Sequence, residues 1–230
     1  MAKKKKSAGN TSGAASKASK VIVWVVLAII LLVVALVLIN NYTGSSSDEA
    51  QDIDYSSQPF LGDENAPVKI VEFGDYKCIH CQEFHDNNFP VIDQELIQTG
   101  KASFYFMNMP IINADSEKGA KFSEAVYQVL GDDGFWKFHD VLFAEDLNTS
   151  FTDDFLMDKL REVVSAEEAE EVLQVYQNNG TDDAVSTDTE LADELGVQGT
   201  PTIFVNGKLF EGQDMNDLID MVDEETQEAN

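Results

Sequence analysis

Apolar positions along the chain fall into three regimes. From Val21 to Ile39 they run for 19 residues with no charge and no proline, enough for one helix to cross the hydrocarbon core of a bilayer. Residues 41–57 are polar and predict a flexible tether. Beyond it, the runs Val68 to Phe73 and Ala102 to Met107 are rich in β-branched and aromatic residues, and each predicts a buried strand. Between them Phe84, Phe89, Ile92, Leu96 and Ile97 recur at roughly helical spacing. Pro90 is expected to kink or divide that helix and Gly100 to close it. Strand, helix and strand of these lengths predict a right-handed βαβ unit.

The pattern then becomes helical. Apolar stripes cover Ser116 to Leu130, Phe135 to Ala144, Asp153 to Val164 and Ala166 to Asn178, with Gly131, Gly134 and Gly180 as breaks. Ser165 with Glu168 has the spacing of a capping box. A further helix, Asp182 to Leu195, stops at Gly196. Strand signals return at Thr202 to Val205, turn at Asn206-Gly207 and come back through Lys208 to Phe210. A last helix spans Met215 to Val222. These boundaries predict a tail (1–20), a transmembrane anchor (21–39), a linker (40–57), one α/β domain (58–226) with a helical insertion at about 114–180, and a short end (227–230). No internal repeat is present.

Charge divides at the same place. The six lysines before Val21 are the only charges there, leaving nine Lys and Arg against 42 Asp and Glu beyond it, a balance of −33. Lysines on the N-terminal side alone place the tail in the cytoplasm and the rest outside, on a single-pass anchor in contact with membrane lipid. Leu38 to Tyr42 contain no small-x-small site, which argues against a cleaved signal peptide. So acidic a domain is not a nucleic-acid binder. The acidic surface suits a cation-rich exterior, but no spaced calcium-loop pattern occurs.

The candidate chemistry is concentrated in Asp75-Tyr76-Lys77-Cys78-Ile79-His80-Cys81, which holds both cysteines of the chain. A pair so close constrains almost no chain entropy, so it is a poor structural staple. It suits a disulfide that forms and breaks on one helical turn. At a helix start the Cys78 sulfur would meet unpaired N–H groups and the positive end of the helix dipole, both favouring thiolate. His80, between the cysteines, would stabilise that thiolate when protonated and offer it an N–H. His85 and His139 lack such a setting and read as structural. A zinc site from Cys78, Cys81 and His85 lacks a fourth ligand.

The order strand, C-x-x-C at a helix start, helical block and Thr200-Pro201-Thr202 before a strand resembles the DsbA-like thiol–disulfide oxidoreductases. The likeness is carried by Val71 to Cys78, by Phe135-Trp136-Lys137-Phe138-His139-Asp140 and by Gly199-Thr200-Pro201-Thr202. With the anchor, the chain is similar to the membrane-attached BdbD-type members of Gram-positive bacteria. That resemblance implies a thioredoxin fold with an inserted helical domain, Cys78 as the more exposed nucleophile and Cys81 as the resolving thiol. It implies that Pro201 is a cis-proline facing the disulfide, with the backbone of Thr200 turned towards substrate, and that Glu72 is a buried acid serving Cys81. It implies oxidation of paired cysteines in translocated proteins and reoxidation by a quinone-linked membrane thiol oxidase. Beyond the Cys78–Cys81 disulfide it implies no metal or organic cofactor. Ile79 stands where proline is commoner and Thr200 where soluble oxidases carry valine, so an isomerase or reductase is the alternative. A membrane-anchored binding domain without catalysis would explain the anchor and the acidity, but not the pairing of C-x-x-C with Thr-Pro-Thr.

Overall fold

The structure, a computed structural model, describes residues 23–24, 26–35 and 50–228. The chain divides into two units, 1–46 and 47–230. In the first, residues 23–24 and 26–35 are helical, and every one of these side chains is apolar and exposed. No helix among the described residues is long and apolar enough to cross a membrane. The span expected over 21–39 reaches past them at both ends, and the basic tail lies outside them altogether.

The second unit is built on a five-stranded sheet. Its strands are β1 (Phe60–Leu61), β2 (Val68–Gly74), β3 (Ala102–Asn108), β4 (Thr202–Val205) and β5 (Lys208–Leu209), in the order β1-β3-β2-β4-β5. β2 lies at the centre, parallel to β3 and antiparallel to β4, which is why all of its residues but Lys69 are buried. Successive side chains leave opposite faces of a strand. Val68 and Ile70 enter the larger core, and Val71 and Phe73 enter a smaller one with Ile53, Tyr105 and Phe204. By the same alternation Glu72 points to the larger core, between Phe106 on β3 and Ile203 on β4.

Helix α1 (Ile79–Asn87) follows the C-x-x-C turn, and the chain then bends at Asn88 into α2 (Phe89–Ile92) and a π-helical turn, Asp93–Ile97. Pro90 falls in the first turn of α2, where its missing N–H would have had no partner in any case. The insertion comprises α3 (Ala114–Phe143), α4 (Asp153–Arg161) and α5 (Ala166–Gln177). The two helices expected between 116 and 144 are two arms of α3, broken at Gly131, whose φ of 65° a side chain would resist. Phe122, Phe135 and Phe138 of α3 pack into the same core as Cys78, Cys81 and Phe106, so the insertion and the sheet share one interior. The capping box at Ser165 and Glu168 is present, and a second, formed by Asn113 and Ser116, starts α3. α6 (Asp182–Glu194) and α7 (Met215–Glu228) complete the unit.

The linker expectation fails for residues 50–57. Ile53 is buried in the smaller core, and the Gln51 N–H donates to the Gly207 carbonyl at 2.8 Å. That contact passes so close to the hairpin turn that a Cβ at Gly207 would lie 2.0 Å from the Gln51 oxygen. α7 also outruns its expected end at Val222, because Glu225 is held by Lys208 Nζ and Asn206 Nδ2 of the hairpin.

Candidate active site

β2 delivers the chain to a turn organised by Asp75, a buried carboxylate that accepts from three backbone N–H groups. Lys77 donates to one oxygen at 2.8 Å, and Ile111 and Ile112 donate to the other at 2.8 and 3.0 Å. The Asp75 carbonyl accepts from Cys78 N at 3.0 Å, and its own N–H points at Cys81 Sγ, 3.5 Å away. Cys78 thereby becomes the extended N-cap residue of α1, with φ −84° and ψ 123°. No side chain caps this helix, so its first N–H groups and its dipole are left to the Cys78 sulfur.

Both cysteines are free thiols. Cys78 donates through Sγ to the Thr200 carbonyl oxygen at 3.2 Å. The Thr200–Pro201 peptide is cis. Cys78 is only 4% exposed, so the more open nucleophile expected from the resemblance is almost closed over, and Cys81 is wholly buried. Burial, and secondarily the charge of Glu72, pushes the Cys81 thiol far up. Glu72 lies beneath it. Burial raises its carboxyl to about 8, against the pull of a hydrogen bond with the Cys81 thiol. Its Oε1 is buried with no hydrogen-bond partner. The Thr200 hydroxyl is likewise buried and satisfied by no oxygen or nitrogen, and it weakly favours the Cys81 thiolate.

The structure brings Cys78, Cys81, Glu72, Thr200 and Pro201 together, and His80 does not join them. Its imidazole is exposed and lies against the carboxylate of Glu83 at 3.1 Å, one helical turn on, and no hydrogen bond joins it to either sulfur. On a helix surface residues three apart are neighbours, and a carboxylate is a better acceptor than a buried sulfur. His85 faces Asp140 and stacks on Phe89 and Phe143, away from the cysteines.

Sequence reasoning missed the side chains that hold the turn. Lys77 Nζ donates to the Thr149 carbonyl at 2.6 Å and sits 4.0 Å over the Phe151 ring; burial lowers its pKa. Gln82 Nε2 donates to the Phe143 and Glu145 carbonyls at 2.6 and 2.8 Å, capping the end of α3. The residue before Cys78 and the residue after Cys81 therefore grip the same stretch of the insertion. Their proximity to the cysteines was the one signal available.

Further in, Asn108 Nδ2 donates to Glu124, while Asp188 accepts from Asn108 N and Gln58 Nε2, all at 2.8 Å. Burial lifts Glu124 to about 8, helped by the charge of Asp188, and lifts Asp188 to about 6. Beside Pro201 a cavity of about 290 Å³ is lined by Phe84, Thr202, Phe210, Met215 and Leu218. A second, of about 530 Å³, is lined by Val197, Gln198, Thr200, Phe204 and Leu209.

A family model described as thioredoxin matches residues 55–224. A probable disulfide bond formation protein D of Bacillus cereus is 37% identical over 158 residues, covering 67% of this chain and 73% of the relative. The disulfide bond formation protein D of Bacillus subtilis is 30% identical over 190 residues, covering 81% and 85%. The crystal structure of oxidised BdbD from Bacillus subtilis superposes with a TM-score of 0.71 at 30% identity, covering 77% of this chain and 97% of that one.

Proposed function

The chain belongs to the DsbA-like thioredoxin-fold oxidoreductases, and from that premise we propose that it acts outside the cytoplasm as an oxidant, passing the Cys78–Cys81 disulfide to paired cysteines of translocated proteins. The observation that carries this reading is the site itself: an uncapped helix N-terminus at Cys78, with Cys81 and the buried acid Glu72 behind it. A substrate thiolate attacks Cys78 Sγ, the Cys78–Cys81 bond breaks, and Cys81 leaves with the electron pair. Glu72, still protonated at neutral pH, supplies the proton that Cys81 strongly favours. A second substrate thiolate then attacks the substrate sulfur of the mixed disulfide and releases Cys78. The enzyme gains two electrons and the substrate a disulfide.

A helix N-terminus left open to the Cys78 sulfur favours the reduced enzyme, which makes the disulfide oxidising. Thr200 and Pro201, flanked by the two cavities, form the wall along which an extended substrate segment pairs. The tail lysines and the apolar, exposed helical residues 23–24 and 26–35 support a single-pass anchor with the enzyme on the outer side. A quinone-linked membrane thiol oxidase is the partner that removes the two electrons. Equilibration with glutathione tests the direction. A potential near about −120 mV supports an oxidase, and one near about −270 mV, typical of thioredoxin, overturns it.

A further inference from the structure

Tyr76 stands two residues before Cys78, buried to 2% exposure. Its ring lies 4.8 Å from Phe143 and 5.6 Å from Phe106, and a Cβ at Gly119 would come within 3.3 Å of it. Its hydroxyl meets His139 Nδ1 at 3.1 Å. His139 lies beyond the Gly131 break, so the phenol oxygen ties the redox turn to the second arm of α3.

His139 is an expensive choice for a site whose needs are only volume. The rings of Phe106, Trp136, Phe143, Tyr76, Phe135 and His85 surround it, with centroids 4.7 to 5.5 Å away. A leucine or phenylalanine would fill that space without desolvating two ring nitrogens. Among the described hydrogen bonds, its one bond goes to Tyr76. Burial keeps the phenol protonated and the imidazole neutral. We therefore assign Tyr76 as the donor, Nδ1 as the acceptor and Nε2 as the protonated nitrogen.

We propose that His139 is a positioning residue for the redox reaction, acting through the Tyr76 hydroxyl to hold Cys78 at the start of α1. The inference rests on the reading of Cys78–Cys81 as the exchanging pair. A sulfur gains from the helix N-terminus only while its backbone stays in the N-cap position, and that gain falls off within a turn. Asp75 fixes the turn by accepting from backbone N–H groups, and Lys77 and Gln82 fix it at the Thr149, Phe143 and Glu145 carbonyls, whereas Tyr76 ties it to His139 in the core. Releasing the hydroxyl lets the turn drift, the Cys78 thiolate loses its donors, and the reduced form loses stability relative to the disulfide.

The test is a double-mutant cycle read in the glutathione equilibrium of the full-length protein, with Tyr76→Phe, His139→Leu and both together. Each single variant is expected to be less oxidising by roughly fivefold in the equilibrium constant, the worth of one ordinary hydrogen bond. The double variant should add little to either. His139→Asn, which keeps an acceptor near the Nδ1 position, should recover part of the loss. A purely structural histidine would lower the melting temperature and leave the equilibrium constant unchanged, and that outcome overturns the proposal, as would additive effects in the cycle. Tyr76→Phe removes one oxygen and keeps the ring, so it decides the matter even if His139→Leu fails to fold. The wild-type potential judges the direction of the enzyme separately, because this test reads only differences between variants.

Discussion

The Cys78 thiol donates to the Thr200 carbonyl oxygen across 3.2 Å, joining the start of the active-site helix to the residue that precedes Pro201, 122 positions further along the chain. In the reduced protein Cys78, the proposed nucleophile, therefore rests on the backbone along which substrate is proposed to pair. A substrate segment must displace this contact to reach the sulfur. Behind it, Cys81 has no comparable exit: it is fully buried, and both burial and Glu72 oppose its ionisation.

This asymmetry predicts selective alkylation. Reduced protein treated with iodoacetamide at about pH 7.5 should take up one equivalent, because only a reachable thiolate reacts. Peptide mapping should place the label on Cys78. Labelling of Cys81 without denaturant would contradict the enclosure described above.

On the proposed reading, Glu72 sets the pH at which Cys81 acts. Its carboxyl ionises near 8, so it is a proton donor below that pH and an acceptor above it. In a trapped mixed disulfide between Cys78 and glutathione, the release of glutathione by Cys81 should accelerate as pH rises through about 8. Glu72→Gln should remove that inflection and slow release by about 10²-fold, the low end for a positioned acid–base group. An unchanged profile in the variant would exclude Glu72 from the proton path.

Local pattern accounts for what was legible in the chain. The alternation of β2 puts Glu72 on the face of Ile70, the punctuation at Gly74-Asp75 ends the strand, and C-x-x-C and Thr-Pro-Thr are contiguous signals. The illegible part depends on partners distant in sequence. The part Asp75 plays in the turn is illegible locally, because its carboxylate is answered by Ile111 and Ile112, 36 and 37 residues on. Gln82 reaches carbonyls 61 and 63 residues away. Ile53 and Tyr55 are isolated apolar residues in a polar run, and only the folded sheet offers them a surface. His80 shows the opposite limit: its position between the cysteines suggested the sulfur, and a glutamate three residues away took the imidazole instead.

The carboxyl of Glu124 should weaken the fold on the alkaline side. Its folded value of about 8 lies above the ordinary 4.5, so between those limits the folded state holds a proton that the unfolded chain has released. Stability contributed by this site therefore falls as pH rises from about 4.5 to about 8, at about 1.4 kcal/mol per unit. Glu124→Gln keeps an oxygen for Asn108 Nδ2 and removes the charge. In buffer containing a chelator, so that no adventitious cation neutralises Glu124 and Asp188, the variant should melt higher than wild type at pH 8. The difference should vanish near pH 5. A variant that melts lower across the range would show that the ionised carboxylate is the stabilising form.

His85 and His139 act on the acid side. Burial lowers both, with Asp140 and Asp86 opposing the shift at His85, and His85 reinforcing it at His139. Below about 6.5 the folded state therefore holds fewer protons on these rings than the unfolded chain, so stability is constant above that pH and is lost as pH falls through it. His85 stacks on Phe89 and Phe143 at interplanar angles of 14° and 19°, a geometry that another flat ring can reproduce. His85→Phe should reduce proton uptake on unfolding between about pH 6.5 and 5 by up to one proton, and move the acid-unfolding midpoint downwards. Asp140→Asn should do the reverse, since it removes the carboxylate 3.6 Å from His85 Nε2 and deepens the penalty on the imidazolium. If the two substitutions move the midpoint in the same direction, titration of His85 is not what opens the fold in acid.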